Sequence, residues 1–252
     1  MVEIFILSIV QGITEFLPIS SSSHLVIISE YLNFQNQSLS LDVSLHIGSF
    51  FAVLFYFKDE IFRFFENKDL FIKILISSLP VILAGYILVK FDLIDQIRNI
   101  KTIGWTTLIF GVLLYFADRF KTIKNMESGF SYKTAIFVGI FQVFSLIPGV
   151  SRSGVTITAA RFLKFERVDS AKISFLMSIP TLAAISFFGI YNLIKSDDLH
   201  FSSINLLSVF LSFVFSLITI KYFLKYIKNF SLNIFIIYRI LLGIIILFLS
   251  YL

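Results

Sequence analysis

The sequence predicts an all-α integral membrane protein made of two inverted-topology repeats, each a re-entrant helix pair plus three transmembrane helices. Three observations predict it. Of 252 residues, 57% are apolar and 15% charged, where a soluble domain averages about half and about a quarter. Six apolar runs are long enough to span a bilayer, and two more are each interrupted midway by a polar cluster. The chain reads as one membrane domain, 1–252, with repeat one at about 1–120 and repeat two at about 121–252.

Residues 1–33 form the first interrupted stretch, broken at Pro18 and the run Ser20-Ser21-Ser22-Ser23-His24. The N-terminus has neither a basic region nor a small-residue cleavage site, so it reads as part of the mature fold. Continuous apolar runs follow at roughly 41–57, 71–89 and 103–118. The second interrupted stretch, 131–162, breaks at Pro148-Gly149 and continues through Ser151-Arg152-Ser153-Gly154. Runs at 171–194, 204–222 and 232–251 complete the set. Each continuous run crosses a hydrocarbon core of ~30 Å as a helix.

A shift of 130 residues lays Pro18 on Pro148, Ser21 on Ser151, Ser23 on Ser153 and Phe57 on Phe187, and overlays the later spans. The register reads as an internal repeat. If each broken segment dips into the membrane and returns, each half crosses three times and the halves are inverted. Broken helices meeting near the midplane then frame a substrate site. The alternative, in which every segment spans, is an eight-helix bundle. Fifteen of the 21 Lys and Arg fall near 58–73, 119–133, 161–172 and 221–228, and four near the other side's segments. This bias puts the first set of loops in the cytoplasm and both termini outside.

Other chemistries are excluded or disfavoured. With no cysteine, neither a disulfide nor a thiolate metal site exists. His24, His46 and His200 lack zinc-motif spacing. The net charge of +5 follows the loops, so nucleic acid is not an expected partner; the bilayer is. A homodimer is compatible with the sequence, which does not set the oligomeric state.

The two breaks hold the candidate chemistry. Gln11 and Glu15 are four residues apart and share one helix face. Ser20, Ser21 and His24 follow Pro18, where a half-helix start turns free N–H groups toward them. In the second break Ser151, Arg152, Ser153 and Gly154, with Thr156 one turn beyond Arg152, make an anion site to which Arg adds a bidentate fork. Intramembrane ionisable groups are functional by default. The plainer readings are an interfacial Glu15, a merely satisfied His24, a linker-like Ser22, and a structural Arg152–Glu15 pair. Arg239 has a structural reading, pairing with Asp118 or snorkelling to the cytoplasmic interface. His46, beside Gly48 and Ser49, suits helix packing as well as chemistry, and His200 reads as solvated. Some of the 32 Phe residues could line a groove for a lipid tail, but no pattern singles them out.

Gln11-Gly12-Ile13-Thr14-Glu15-Phe16-Leu17-Pro18-Ile19-Ser20-Ser21, with His24, resembles the first signature of the undecaprenyl-diphosphate phosphatase family, also called the bacitracin-resistance family. Pro148-Gly149-Val150-Ser151-Arg152-Ser153-Gly154, with Thr156, resembles its second. The resemblance spans essentially the whole chain. Gln11 departs from a position that is Glu in many members, and Ser23 stands where Gly is common.

The resemblance implies hydrolysis of undecaprenyl diphosphate to the monophosphate at an extracytoplasmic-facing site of the bacterial cell membrane. It also implies help from a divalent cation, Mg²⁺ or Ca²⁺, and a role in carrier-lipid recycling and bacitracin resistance. On the residues, Arg152 with Ser151 and Ser153 holds phosphate, and Glu15 binds the cation with Gln11 or acts as base. His24, Ser21 or water attacks. A transporter of the same carrier lipid on this inverted-repeat architecture is the competing reading.

Overall fold

In chain order the helices are α1 (Val2–Thr14), α2 (Ser21–Tyr31), α3 (Leu39–Tyr56), α4 (Lys58–Glu66), α5 (Lys68–Lys90), α6 (Ile100–Asp118), α7 (Tyr132–Val143), α8 (Arg152–Phe162), α9 (Arg167–Lys195), α10 (Ser203–Asn229) and α11 (Asn233–Tyr251), with a single turn at Met126–Gly129. The structure, a computed structural model, describes residues 2–31, 38–66, 68–91, 93, 99–195 and 203–252. Among these there is no strand; one isolated bridge pairs Lys124 with Phe165. His200 lies outside the described residues.

α3, α5, α6, α9, α10 and α11 are long and apolar enough to span, and they correspond to the six continuous runs of the sequence. The other two stretches are broken, each close to a proline, although Pro80 and Pro180 are carried inside α5 and α9. α1 ends at Thr14, and a turn over 15–19 takes the chain through Pro18, which has no N–H to continue a helix. α7 opens with a capping box between Ser131 and Thr134, tightens into a 3₁₀ turn at Phe144–Leu146 and gives way before Pro148.

Each broken stretch restarts from a serine in the left-handed region, Ser20 at φ 76° and Ser151 at φ 68°. That conformation costs an L-residue about 1–2 kcal/mol, offset here by local side-chain bonds. Ser151 Oγ accepts the Gly154 N–H at 3.1 Å, and Ser20 Oγ lies 3.0 Å from Ser23 Oγ. The two serines are 131 positions apart (20 to 151), whereas the prolines are 130 apart (18 to 148). The second break holds one extra residue beyond its proline, Gly149, at φ 93°. Beyond the breaks, therefore, Ser151 is matched by Ser20 rather than by Ser21. Nor do Phe57 and Phe187 share an environment: one is 1% exposed and the other 76%.

Small residues let the spans approach closely, the main packing device where lipid supplies no hydrophobic drive between helices. Gly48 of α3 abuts the α10 backbone at Val209, and Ser49 Oγ lies 3.1 and 3.0 Å from Ser212 Oγ and Ser216 Oγ. Gly104 and Gly243 bring α6 against α11. Further pairings are α1 with α10, α5 with α7, α3 with α9, and α9 with α5. Phe16, Phe57, Phe175 and Phe223 form part of the buried core, while α5, α9, α10 and α11 expose apolar faces outward. Patches of that extent suit lipid rather than water.

Arg239 behaves differently from its sequence reading. It neither reaches Asp118 nor snorkels, and it is fully buried. Its guanidinium donates to the carbonyls of Pro18 (3.3 Å), Gly149 (3.1 Å), Val150 (2.9 Å) and Thr107 (3.3 Å). The breaks leave the Pro18, Gly149 and Val150 carbonyls outside any helix, whereas Thr107 lies within α6, and Arg239 lies at their level in α11. Asp118 is taken instead by a fork from Arg167, at 2.7 and 3.1 Å.

Candidate active site

The turn after α1 and the start of α8 meet inside the bundle. Glu15 follows the last residue of α1, and Arg152 opens α8. Arg152 Nη2 donates to Glu15 Oε1 at 2.7 Å, with Glu15 buried. The other carboxylate oxygen accepts from Ser21 Oγ at 2.7 Å and from Gln11 Nε2 at 3.0 Å. Arg152 is steadied from behind by the Ser174 carbonyl, at 3.3 Å. Ser153 Oγ donates to the Leu17 carbonyl at 2.7 Å and pins one break to the other.

This cluster opens into a cavity of about 460 Å³. Its polar lining includes Glu15, Ser20, Ser21, Ser22, Ser151 and Arg152. Its apolar lining comes from α5, including Val81, Gly85 and Val89, and from α9, including Leu182 and Ile185. Ionisable groups at one part and aliphatic walls at another suit an amphiphile with an anionic head.

Of the residues singled out in the sequence, Gln11, Glu15, Ser21 and Arg152 are brought into contact, with Ser20 and Ser151 beside them. Ser153, Gly154 and Thr156 stand behind the cavity. A Cβ at Gly154 would come within 2.6 Å of Arg239 Nη1. The Thr156 hydroxyl lies within 2.8 Å of the Arg152 carbonyl and 2.7 Å of Ser174 Oγ, which fixes the first turn of α8. His24 turns toward α11. Its Nδ1–H donates to the Ser20 carbonyl at 2.6 Å, so in the neutral ring Nε2 accepts from Tyr238 O–H at 2.5 Å.

Three polar residues that the sequence did not single out also line the cavity, Gln142, Ser145 and Thr181, as does His46, whose sequence reading left packing and chemistry both open. His46 Nδ1–H donates to the Asp42 carbonyl at 2.8 Å, which leaves Nε2 as the lone-pair nitrogen of the neutral ring. A signal for Gln142 existed in the chain. It stands six residues before Pro148, much as Gln11 stands seven before Pro18.

Comparison with known proteins identifies the family. The family model described as bacitracin resistance protein BacA matches residues 4–245. The undecaprenyl-diphosphatase of Pelagibacter ubique (strain HTCC1062) is 49% identical over 252 residues, 99% of this chain and 98% of its own length. That of Campylobacter curvus (strain 525.92) is 41% identical, covering 98% of each, and that of Jannaschia sp. (strain CCS1) 36%, again covering 98% of each. A match that runs through both breaks and nearly every span places this chain in the bacitracin resistance protein BacA family.

Proposed function

We propose that this multi-pass membrane protein is an undecaprenyl-diphosphate phosphatase that returns the carrier lipid to its monophosphate for peptidoglycan synthesis and thereby confers bacitracin resistance. The observation that carries the reading is the Glu15–Arg152–Ser21 cluster, joined across two broken helices at a cavity with aliphatic walls. Relatives named undecaprenyl-diphosphatase support it.

The terminal phosphate takes the place of Glu15 on Arg152, aided by the free N–H groups at the start of α8. Ser21 Oγ, freed of its proton by Glu15, bonds to the terminal phosphorus. The bridging P–O bond breaks, and its electron pair leaves on the lipid monophosphate. Glu15 passes its proton to that departing phosphate, then takes one from the water that cleaves the phosphoseryl ester and returns it to Ser21 Oγ as phosphate is released. Positioning and charge stabilisation supply most of the catalysis in such transfers. His24 braces the first break through the Ser20 carbonyl. A quenched reaction that labels Ser21 supports this route; no label on any residue favours direct attack by water.

A divalent cation fits the residues present. Gln11 Oε1 is a buried acceptor with no partner within the protein, next to the Glu15 carboxylate. These two oxygens, completed by substrate and water, suit Mg²⁺ or Ca²⁺, and a bound cation would neutralise phosphate charge.

The exchange of packing partners supports inverted repeats: α1 with α10 answers α7 with α5, and α3 with α10 answers α9 with α5. The Lys and Arg bias supports both termini and the cavity facing the extracytoplasmic side of the inner membrane.

The test is phosphate release from undecaprenyl diphosphate by purified protein in detergent, with and without EDTA. Release that needs cation and collapses in Glu15→Gln is expected. A well-folded wild type that releases none would defeat the reading.

A further inference from the structure

Gln142 is fully buried, and neither its amide nitrogen nor its amide oxygen has a hydrogen-bond partner within the protein. An orphaned buried amide is costly, and an apolar side chain of the same shape would serve a purely structural position better. The amide instead lines the cavity that holds Glu15 and Arg152, with Ser145 on the same helical face. Gln11, near the end of α1 in the first broken stretch, spends its nitrogen on Glu15. Four residues beyond Gln142 the chain has Leu146, so the second break offers no such carboxylate.

The position of Gln142 along the cavity follows from its helix. α7 packs against α5 so closely that a Cβ at Gly139, one turn before Gln142, would strike the Ser77 backbone. The next turns of α5 supply the aliphatic wall at Val81, Gly85 and Val89. Because Gly85 of α5 also meets Leu146, Gln142 stands level with Val81, where that wall begins, in the cavity that also holds Arg152. A lipid diphosphate with its terminal phosphate on Arg152 and its tail along α5 brings its inner phosphate to Gln142.

We propose that Gln142 binds the inner phosphate, the one that departs with the lipid, an assignment that rests on the lipid-diphosphate reading of this cavity. Its Nε2–H donates to an oxygen of the leaving group, where charge develops as the bridging bond breaks. A neutral donor here stabilises that charge without the retention a second guanidinium would impose on the product.

The test is Gln142→Leu in the full chain, purified in detergent. Three quantities are read: kcat/KM for undecaprenyl diphosphate, inhibition by undecaprenyl monophosphate, and inhibition by inorganic phosphate. Loss of one hydrogen bond to a charged group predicts a fall of about ten- to a hundredfold in kcat/KM and a similar weakening of lipid monophosphate inhibition. Inhibition by inorganic phosphate, which reports the Arg152 end, stays unchanged, and thermal stability is held or raised because an orphaned amide is gone. Unchanged kcat/KM, or equal weakening of both inhibitors, overturns the assignment. Should the leucine variant not fold, Gln142→Asn, which sets both amide atoms one methylene back, carries the same selective prediction. Absence of hydrolysis in wild type would instead strike the phosphatase reading itself.

Discussion

At Glu15 three donors converge on one carboxylate, and each is a different experiment. Arg152→Lys keeps the charge but loses the planar fork, so turnover should fall about a hundredfold or more while the protein still inserts; near-normal phosphate release would remove Arg152 from the site. Gln11→Glu replaces a donor at 3.0 Å from Glu15 with a second carboxylate. The pair then needs a cation or a proton between them, so EDTA should inhibit this variant more sharply than wild type; equal sensitivity would take Gln11 out of the cation site. Glu15, Ser21 and Arg152 were legible because polar and charged groups inside apolar runs stand out and because their motifs are long. Gln142 was not, and His46 was noticed without its role being decided. Each is a single polar residue in an apolar helix, and only the packing of α3 and α7 decides whether it faces a cavity or a neighbour. His24 stood out equally in the sequence, yet its orientation depends on Tyr238, more than two hundred positions along the chain.

The helical breaks were legible from Pro18 and Pro148, but their register was not. A serine carries no mark that it will adopt a left-handed backbone, and the residue that shifts the alignment, Gly149, reads simply as part of a turn. Its φ of 93° and its approach to the Ile103 carbonyl and the Thr106 side chain leave no room for a methyl group. Gly149→Ala should therefore lower the melting temperature in detergent and cut activity together, with strain of about 1–3 kcal/mol from the backbone alone. Arg239→Met removes the donor from the carbonyls of Pro18 and Val150 and leaves Gly149 only the longer 3.4 Å bond from the Thr107 hydroxyl. Each orphaned group costs about 1–3 kcal/mol, so this variant should be among the least stable of any single substitution in α11. A melting curve matching wild type would show that other donors satisfy those carbonyls.

Across the whole molecule, the spans and their outward apolar faces were legible because lipid imposes length and composition so directly. The pairing of spans was not, since glycine and serine contacts such as Gly48 on α10 depend on which helix comes opposite. The orientation can be tested cleanly because the chain has no native cysteine. A cysteine placed at Lys124 should react with an impermeant reagent only from the cytoplasmic side, and one at Asn99 only from the outside; the reverse pattern would turn the topology over. Arg239 and the Ser153–Leu17 bond also bear on what the molecule does between reactions. Carrying a lipid from one leaflet to the other by rocking would require the halves to part where these contacts knot them. If those ties hold through turnover, the molecule works as a fixed bench, trimming the lipid that the adjoining leaflet delivers rather than carrying it across.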